Sequence, residues 1–175
     1  MFFFNKYLQH IIKYDSINAL SFKEPKQLPK LQTIVLNFGY QKSNFKRLIS
    51  GLLALEFLTS KKSRITRSKH LNVVLKIKQG APVGCKITLK KKIMHKFYLK
   101  LITSIFTKLK DPQKNRSPQN CKSVSITIEN PLIFMELENH YEIFKDMPKL
   151  DITFITNTKS KNELFFLLKS IKIFL

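Results

Sequence analysis

The chain has 175 residues, 43% of them hydrophobic, so it can bury the core of one domain but is too short for two. Its 32 lysines and arginines against 11 acidic residues give a net charge of +21, which points to nucleic acid as the partner, with an anionic membrane surface second. No apolar run approaches the ~18 residues of a membrane span, and Cys85 and Cys121 are too far apart for a metal knuckle.

Residues 1–30 predict a helix followed by a connector. Residues 1–12 hold no arginine and no small-residue cleavage site, so they favour a helix over a targeting segment. The apolar face of this helix would hold Phe4, Leu8 and Ile11 or Ile12. Two prolines exclude helix from residues 21–30. The core of a single domain is then predicted over residues 31–175.

Residues 31–59 predict a strand and a helix. Two faces alternate in residues 31–38, where Asn37 is the polar residue in a strand otherwise suited to burial. Ser43 can cap the helix that follows, which ends near Thr59. The inner stripe of that helix would hold Phe45, Leu48, Leu52 and Leu55.

Residues 60–70 are basic and rich in small hydroxyl side chains. The cations are Lys61, Lys62, Arg64, Arg67 and Lys69. This combination suits contacts to the phosphates and 2′-hydroxyls of RNA. The alternative is a flexible basic loop; contact is favoured because the segment leads directly into a basic hairpin.

Residues 71–109 predict a strand, a tight loop, a second strand and a helix. Apolar and polar residues alternate in residues 71–78 and again in residues 83–89, with Cys85 facing inward as a small core residue. Residues 79–82, Gln-Gly-Ala-Pro, supply the turn of this hairpin. From Lys91 the apolar spacing becomes helical. The apolar stripe would hold Met94, Phe97, Leu101, Ile105 and Leu109.

The rest of the chain predicts a loop, two strands and a last helix. Residues 111–119 have two prolines and no apolar side chain and predict an exposed loop. Residues 123–129 and 151–156 alternate as strands do. Ser160 and Glu163 form a capping box for the last helix. Its apolar face would hold Leu164, Leu167 or Leu168, and Ile171.

The irregular alternation of these elements predicts an α+β fold, with a largely antiparallel sheet, helices packed on one face and the other face open. The open face would present Asn37, Lys76, Lys86, Thr88, Ser125, Thr127 and Thr153. Such a polar face with basic loops at its rim suits the wide, shallow groove of folded RNA. It lacks the aromatic side chains on which single strands stack.

Five stretches together resemble a known family. They are Pro29–Leu31 with Ile34–Gly39, Leu58–Thr59 with Ile65–Thr66 and Ser68–Lys69, Gly80–Leu89, Leu150–Thr153, and more weakly Ile133–Leu137. In this order and spacing they resemble the fifth protein of the large ribosomal subunit, which binds 5S rRNA in the central protuberance. The resemblance covers nearly the whole chain, and Gly80–Leu89 is its most specific part.

The resemblance implies a structural RNA-binding protein without catalysis or cofactor. Asn37 and Thr88 match sheet residues that approach 5S rRNA, and with the basic segment the expected rRNA-binding residues are Asn37, Lys61, Lys62, Arg64, Thr66, Arg67, Lys69, Lys86 and Thr88. The hairpin loop matches one that reaches the elbow of P-site tRNA. The expected tRNA-binding residues are Lys78, Gln79, Gly80, Ala81, Pro82 and Val83.

Residues 129–151 break the charge pattern, with six acidic residues and two lysines. RNA would repel such a segment, so it should face a basic protein. The resemblance points to a bridge with the thirteenth protein of the small-subunit head, beside contacts with other central-protuberance proteins. The bridging residues would be Glu136, Glu138, Glu142 and Asp146. The alternative is an acidic, solvated helix that balances local charge.

Two stretches depart from the family pattern. Ser60 and Lys61 replace a glycine and a glutamine, which implies a phosphate contact in place of a polar one. Residues 111–122 replace a glycine-rich aromatic loop, whose contacts cannot be carried over. The lysine-rich composition is typical of an AT-rich gene, and no length remains for a presequence. An organelle-encoded member is therefore predicted, in a mitochondrion, with a plastid as the alternative.

Two other functions stay open. An RNA-processing enzyme would need carboxylates that converge on a metal ion. The nearest acidic residues, Glu136, Glu138 and Glu142, lie away from the basic hairpin in the sequence. A free-standing RNA chaperone would differ from a ribosomal protein in being found unbound to ribosomes.

Overall fold

The computed structural model describes residues 7–20, 24, 27–40, 45–106 and 116–171. A π-helical segment, Tyr7–Ile12, leads into α1 (Lys13–Ala19). The later helices are α2 (Phe45–Thr59), α3 (Lys91–Lys100, continued as a π-helix over Leu101–Phe106), α4 (Met135–Glu138), α5 (Tyr141–Phe144) and α6 (Lys161–Ser170). The strands are β1 (Leu31–Gly39), β2 (Arg64–Arg67), β3 (Pro82–Leu89), β4 (Arg116–Asn120), β5 (Ser123–Ile128) and β6 (Leu150–Thr156). No described helix has the length and apolar character needed to cross a membrane.

The described strands form one six-stranded sheet in the order β2-β3-β1-β6-β5-β4. β2 pairs with β3, and β4 with β5, in antiparallel register. Along β5 and β6, Ser125 Oγ lies 3.1 Å from Thr153 Oγ1, and Thr127 Oγ1 donates to Asp151 over 2.9 Å. These two pairs run in opposite directions along the strands, as antiparallel neighbours do. The predicted α+β fold is therefore confirmed.

The strand predictions based on alternation hold where one face of the sheet is buried. On β1, Ile34, Leu36 and Phe38 are fully buried, and Asn37 between them is half-buried on the other face. The same alternation appears along β3, β5 and β6. Burial of these side chains supplies the apolar surface that stabilises the sheet.

The chain divides into two compact units. The first comprises Met1–Ile34, Leu89–Ile126 and Thr153–Leu175, and the second comprises Val35–Thr88 and Thr127–Ile152. That the chain folds as a single domain stays a prediction. In the first unit the Tyr98 hydroxyl of α3 donates to the Ile171 carbonyl after α6, and burial raises the pKa of Tyr98. The capping box is present there, because Glu163 N donates to Ser160 Oγ over 3.2 Å.

In the second unit, α2 covers the inner side of β3. A Cβ atom added to Gly51 of α2 would lie 2.8 Å from Cys85 Sγ. Cys85 is fully buried, and burial raises the pKa of its thiol to about 12. The prediction that Cys85 is a core residue is thus confirmed.

The strand predicted over residues 71–78 is wrong. Asn72 and Ile77 exchange two backbone hydrogen bonds of 2.9 Å across a tight turn, in which Lys76 has a φ of 53°. Lys76 therefore lies in a loop and not on the open face of the sheet. The partner of β3 is instead β2, which lies within the basic segment that could have been a flexible loop.

Two further predictions need correction. Residues 116–120 form β4, although the two prolines of residues 111–119 predict a loop. Phe45 is 70% exposed and lies outside the inner stripe of α2, which holds Leu48 and Leu55. Phe4, Ser43 and Leu109 lie outside the described residues, as do the side chains of Leu8 and Ile105.

Candidate nucleic-acid interface

The open face of the second unit is built on the pairing of β2 with β3. Arg64 lies directly opposite Lys86, and Thr66 lies directly opposite Gly84. Opposite residues of a pair share one face of a sheet. Ile65 pairs in turn with the buried Cys85, so Arg64, Thr66 and Lys86 lie on the open face.

Gly84 allows three strands to approach closely at this face. A Cβ atom at this position would lie 2.5 Å from the Phe38 carbonyl oxygen of β1 and 2.8 Å from Thr66 Oγ1 of β2. Such distances are shorter than van der Waals contact, so only glycine fits. Because Asn37 precedes Phe38 on the half-buried face, this packing brings the Asn37, Thr66 and Lys86 positions to neighbouring strands of one surface.

Two like charges meet on this surface. Arg64 and Lys86 are both exposed, and no salt bridge pairs either with an acidic residue in the part of the chain that the structure describes. Like charges directly opposite each other destabilise a sheet. An anion bound between them would remove the repulsion, and phosphate accepts hydrogen bonds from both side-chain types.

The start of the basic segment is attached to the end of β3. Lys61 Nζ donates to the Thr88 carbonyl over 2.6 Å. The Glu56 carboxylate of α2 accepts a hydrogen bond of 3.1 Å from Ser63 N. These contacts keep the ammonium of Lys61 beside Thr88. The other predicted cations of the segment, Lys62, Arg67 and Lys69, are exposed.

The loop between β2 and β3 positions the predicted tRNA-binding residues at its base. Ser68 closes this base through backbone hydrogen bonds of 2.9 Å with Gly80 and Ala81. The predicted turn is present, since Ala81 N donates to the Lys78 carbonyl and Gly80 has a φ of 80°. The remaining members of the set lie beside it: exposed Gln79, and half-buried Pro82 and Val83 at the start of β3.

The tip of this loop is apolar, which the sequence interpretation missed. Leu71, Val73 and Val74 are 65%, 76% and 91% exposed. Below them a cleft of about 530 Å³ is lined by residues that include Tyr40, His70 and Ile77. The tip is thus the most solvent-exposed apolar segment of the second unit. The signal in the sequence is the run of four apolar residues around Asn72, whose alternation predicts a half-buried strand instead.

The acidic segment forms two short helices. Glu136 is half-buried on α4, and the remaining predicted bridging residues, Glu138, Glu142 and Asp146, are exposed. The two lysines are paired locally: Lys145 lies 3.5 Å from Glu142, and Lys149 lies 3.2 Å from Glu129. The surface therefore keeps a net negative charge. Among the described residues, no group of three or more His, Cys, Asp or Glu could hold a metal ion.

Comparisons with known proteins agree with one another. Residues 82–174 match the C-terminal part of the ribosomal protein uL5 family. The large ribosomal subunit protein uL5m of Reclinomonas americana is 31% identical over 172 residues, which cover 96% of this chain and 94% of that protein. The uL5 protein of Wigglesworthia glossinidia brevipalpis is 35% identical over 83% of each chain. The uL5c protein of Mesostigma viride is 30% identical over 86% of this chain and 83% of that protein.

Proposed function

This chain belongs to the uL5 family of large-subunit ribosomal proteins, and we propose that it binds 5S rRNA, or its organellar equivalent, through the open face of the second unit. Its coarser role is that of a structural ribosomal protein. The placement of Arg64 opposite Lys86, beside hydroxyl and amide side chains, is the observation that supports RNA binding. The other residues of the proposed site are Asn37, Lys61, Lys62, Thr66, Arg67, Lys69 and Thr88.

Binding to 5S rRNA should depend strongly on salt, because cations that neutralise phosphates release counterions. If the site makes ~5 phosphate contacts, the logarithm of the association constant should fall with the logarithm of salt concentration at a slope of about −3.5 to −4.5. Fluorescence anisotropy with labelled 5S rRNA measures this slope. An unrelated duplex RNA of equal length is the control, and a flat response for 5S rRNA would contradict the proposal.

We also propose that the loop between β2 and β3 contacts P-site tRNA. The proposed residues Lys78, Gln79, Gly80, Ala81, Pro82 and Val83 form one side of the loop base, and the apolar tip extends the surface that a tRNA elbow would meet. Apolar groups there can pack against exposed base faces of folded RNA. The proposal thus includes Leu71, Val73 and Val74 as well.

Val74→Asp tests the tRNA contact, because Val74 is 91% exposed and its loss should not affect folding. Removing the apolar contact and adding a negative charge should weaken P-site tRNA binding roughly tenfold, measured on purified ribosomes. Binding of 5S rRNA should stay unchanged. Lys78→Ala separates tip from base: if it weakens tRNA binding and Val74→Asp does not, the apolar tip plays no part.

The acidic surface is proposed to form the bridge to small-subunit head protein thirteen. Glu138→Lys combined with Glu142→Lys should weaken subunit joining several-fold while 5S rRNA binding is kept, because the basic partner would then meet like charge. Sedimentation of subunits at several magnesium concentrations measures joining. Asp15→Lys with Glu24→Lys is the control, since both residues are exposed and the charge change is equal. If joining is unchanged while 5S rRNA binding falls, the bridge assignment fails.

A mitochondrial location is proposed, with a plastid as the second candidate. The relatives include both a uL5m and a uL5c protein. The lysine-rich composition fits an organellar genome but does not separate the two organelles. Fractionation followed by immunodetection of the chain in mitochondrial or plastid ribosomes would decide between them. Recovery outside ribosomes would favour the RNA chaperone instead.

A further inference from the structure

The outer side of α2 carries an apolar stripe that the described part of the chain leaves largely uncovered. Phe45, Ile49, Leu53 and Phe57 recur every four residues and are 70%, 41%, 40% and 48% exposed. The inner side of the helix is apolar too, and its buried residues include Leu48, Ala54, Leu55 and Leu58. A helix that is apolar on both sides is typical of one that is covered on both sides.

The stripe continues from α2 onto α5. The ring of Phe57 lies 5.4 Å from the His140 ring and 5.9 Å from the Phe144 ring, which it meets edge-on. Tyr141 and Ile143, the chain neighbours of those two residues, are 55% and 52% exposed. Singly scattered apolar residues are ordinary on a protein surface, but a contiguous set marks an interaction site. We call the α2 stripe with Tyr141 and Ile143 the docking surface.

The charges around the docking surface differ at its two ends. Lys46 and Arg47 lie beside Phe45, whereas Glu138 and Glu142 flank the α5 end. An acidic flank repels RNA, and an RNA duplex has little apolar surface to bury. The complementary partner is a protein segment with an apolar side and with basic residues where it passes α5.

We propose that the docking surface holds an amphipathic, basic segment of a second large-subunit protein. This goes beyond the proposed function, because a contact that forms and breaks between subunits suits charged groups. Extensive apolar contacts are typical of permanent interfaces, and an apolar surface left open favours aggregation. The inner side of α2 packs toward Cys85 of β3, so a partner on the outer side would leave the open face free for RNA.

Photocrosslinking in isolated large subunits tests the identity of the occupant. A photoreactive amino acid at position 53 should crosslink to one protein, and the crosslinked peptide should be amphipathic and basic. The same group at Ile17, an apolar residue of α1 that is 46% exposed, should not reach that peptide. Crosslinks from position 53 to RNA or to a second copy of this chain would overturn the proposal, as would crosslinks that require the small subunit.

Affinity measurements then test the surface itself. A synthetic copy of the crosslinked peptide should bind the purified full-length chain, and Ile49→Gln with Leu53→Gln should weaken it by roughly tenfold or more. Glu138→Gln with Glu142→Gln should reduce the affinity and its salt dependence, while Ile17→Gln changes neither. Unchanged affinity in the Ile49 and Leu53 variant would overturn the proposal. Loss of 5S rRNA binding or of subunit joining in other variants would leave it intact.

Discussion

Reversing Arg64 and Lys86 together to glutamate should lower the affinity for 5S rRNA by about a hundredfold or more. The two side chains lie directly opposite each other on the open face, so both would meet the same stretch of phosphates. A hydrogen bond between charged groups contributes roughly tenfold to affinity, and reversal replaces that attraction by repulsion. The slope of log affinity against log salt should become shallower by about two.

The matched control reverses two exposed lysines of α3, Lys92 and Lys96. Both double variants change the net charge equally, so a general electrostatic effect would weaken binding equally in both. Equal losses would therefore contradict a localised site. Circular dichroism of both variants would show that the fold is kept, which is expected because all four side chains are exposed.

The sequence predicted those elements in which the alternation of side chains reflects burial of one face. β1, β3, β5 and β6 each bury alternate residues in a shared core, so period two in the sequence had one physical cause. The alternation in residues 71–78 had another. Lys76 takes a left-handed φ of 53°, and the chain folds back on Asn72, so the apolar residues of the tip face solvent. Alternation alone does not distinguish these two situations.

β2 and β4 were not predicted because edge strands need little burial. They occupy the two ends of the sheet order. β4 contains Pro118, which is tolerated in a strand that pairs on one side only. β2 is basic, a property that protects sheet edges from unwanted pairing. Their backbones pair with β3 and β5, and backbone pairing leaves no hydrophobic pattern in the sequence.

The composition of the RNA site was predictable, but its geometry was not. Lysines, arginines and hydroxyl residues were identified from the sequence, yet the opposition of Arg64 and Lys86 depends on β2 being the partner of β3. Assigning residues 71–78 to that position hid this pairing. The exposure of Phe45 was likewise hidden, because a helix that is apolar on both sides gives no preference for which side faces the core.

Gly84→Ala should lower the free energy of unfolding by about 3 kcal/mol, which for a chain of this length lowers Tm by roughly 6 to 12 °C. The added Cβ would lie 2.5 Å from the Phe38 carbonyl oxygen, a backbone atom that cannot rotate away as a side chain could. β1 and β3 must therefore separate, which weakens the centre of the sheet. Urea unfolding at an unchanged m value measures the loss.

Gly39→Ala is the control for glycine in a strand. A Cβ atom at Gly39 meets nothing within 4 Å, and its φ is not positive, so stability should be unchanged or slightly raised by the stiffer unfolded chain. Equal destabilisation by both substitutions would mean that close approach at Gly84 is not the cause. Because Thr66 Oγ1 also lies 2.8 Å from the added Cβ, Gly84→Ala should displace one of the proposed RNA contacts. Affinity for 5S rRNA should then fall even at temperatures where the variant is fully folded, whereas Gly39→Ala keeps both properties.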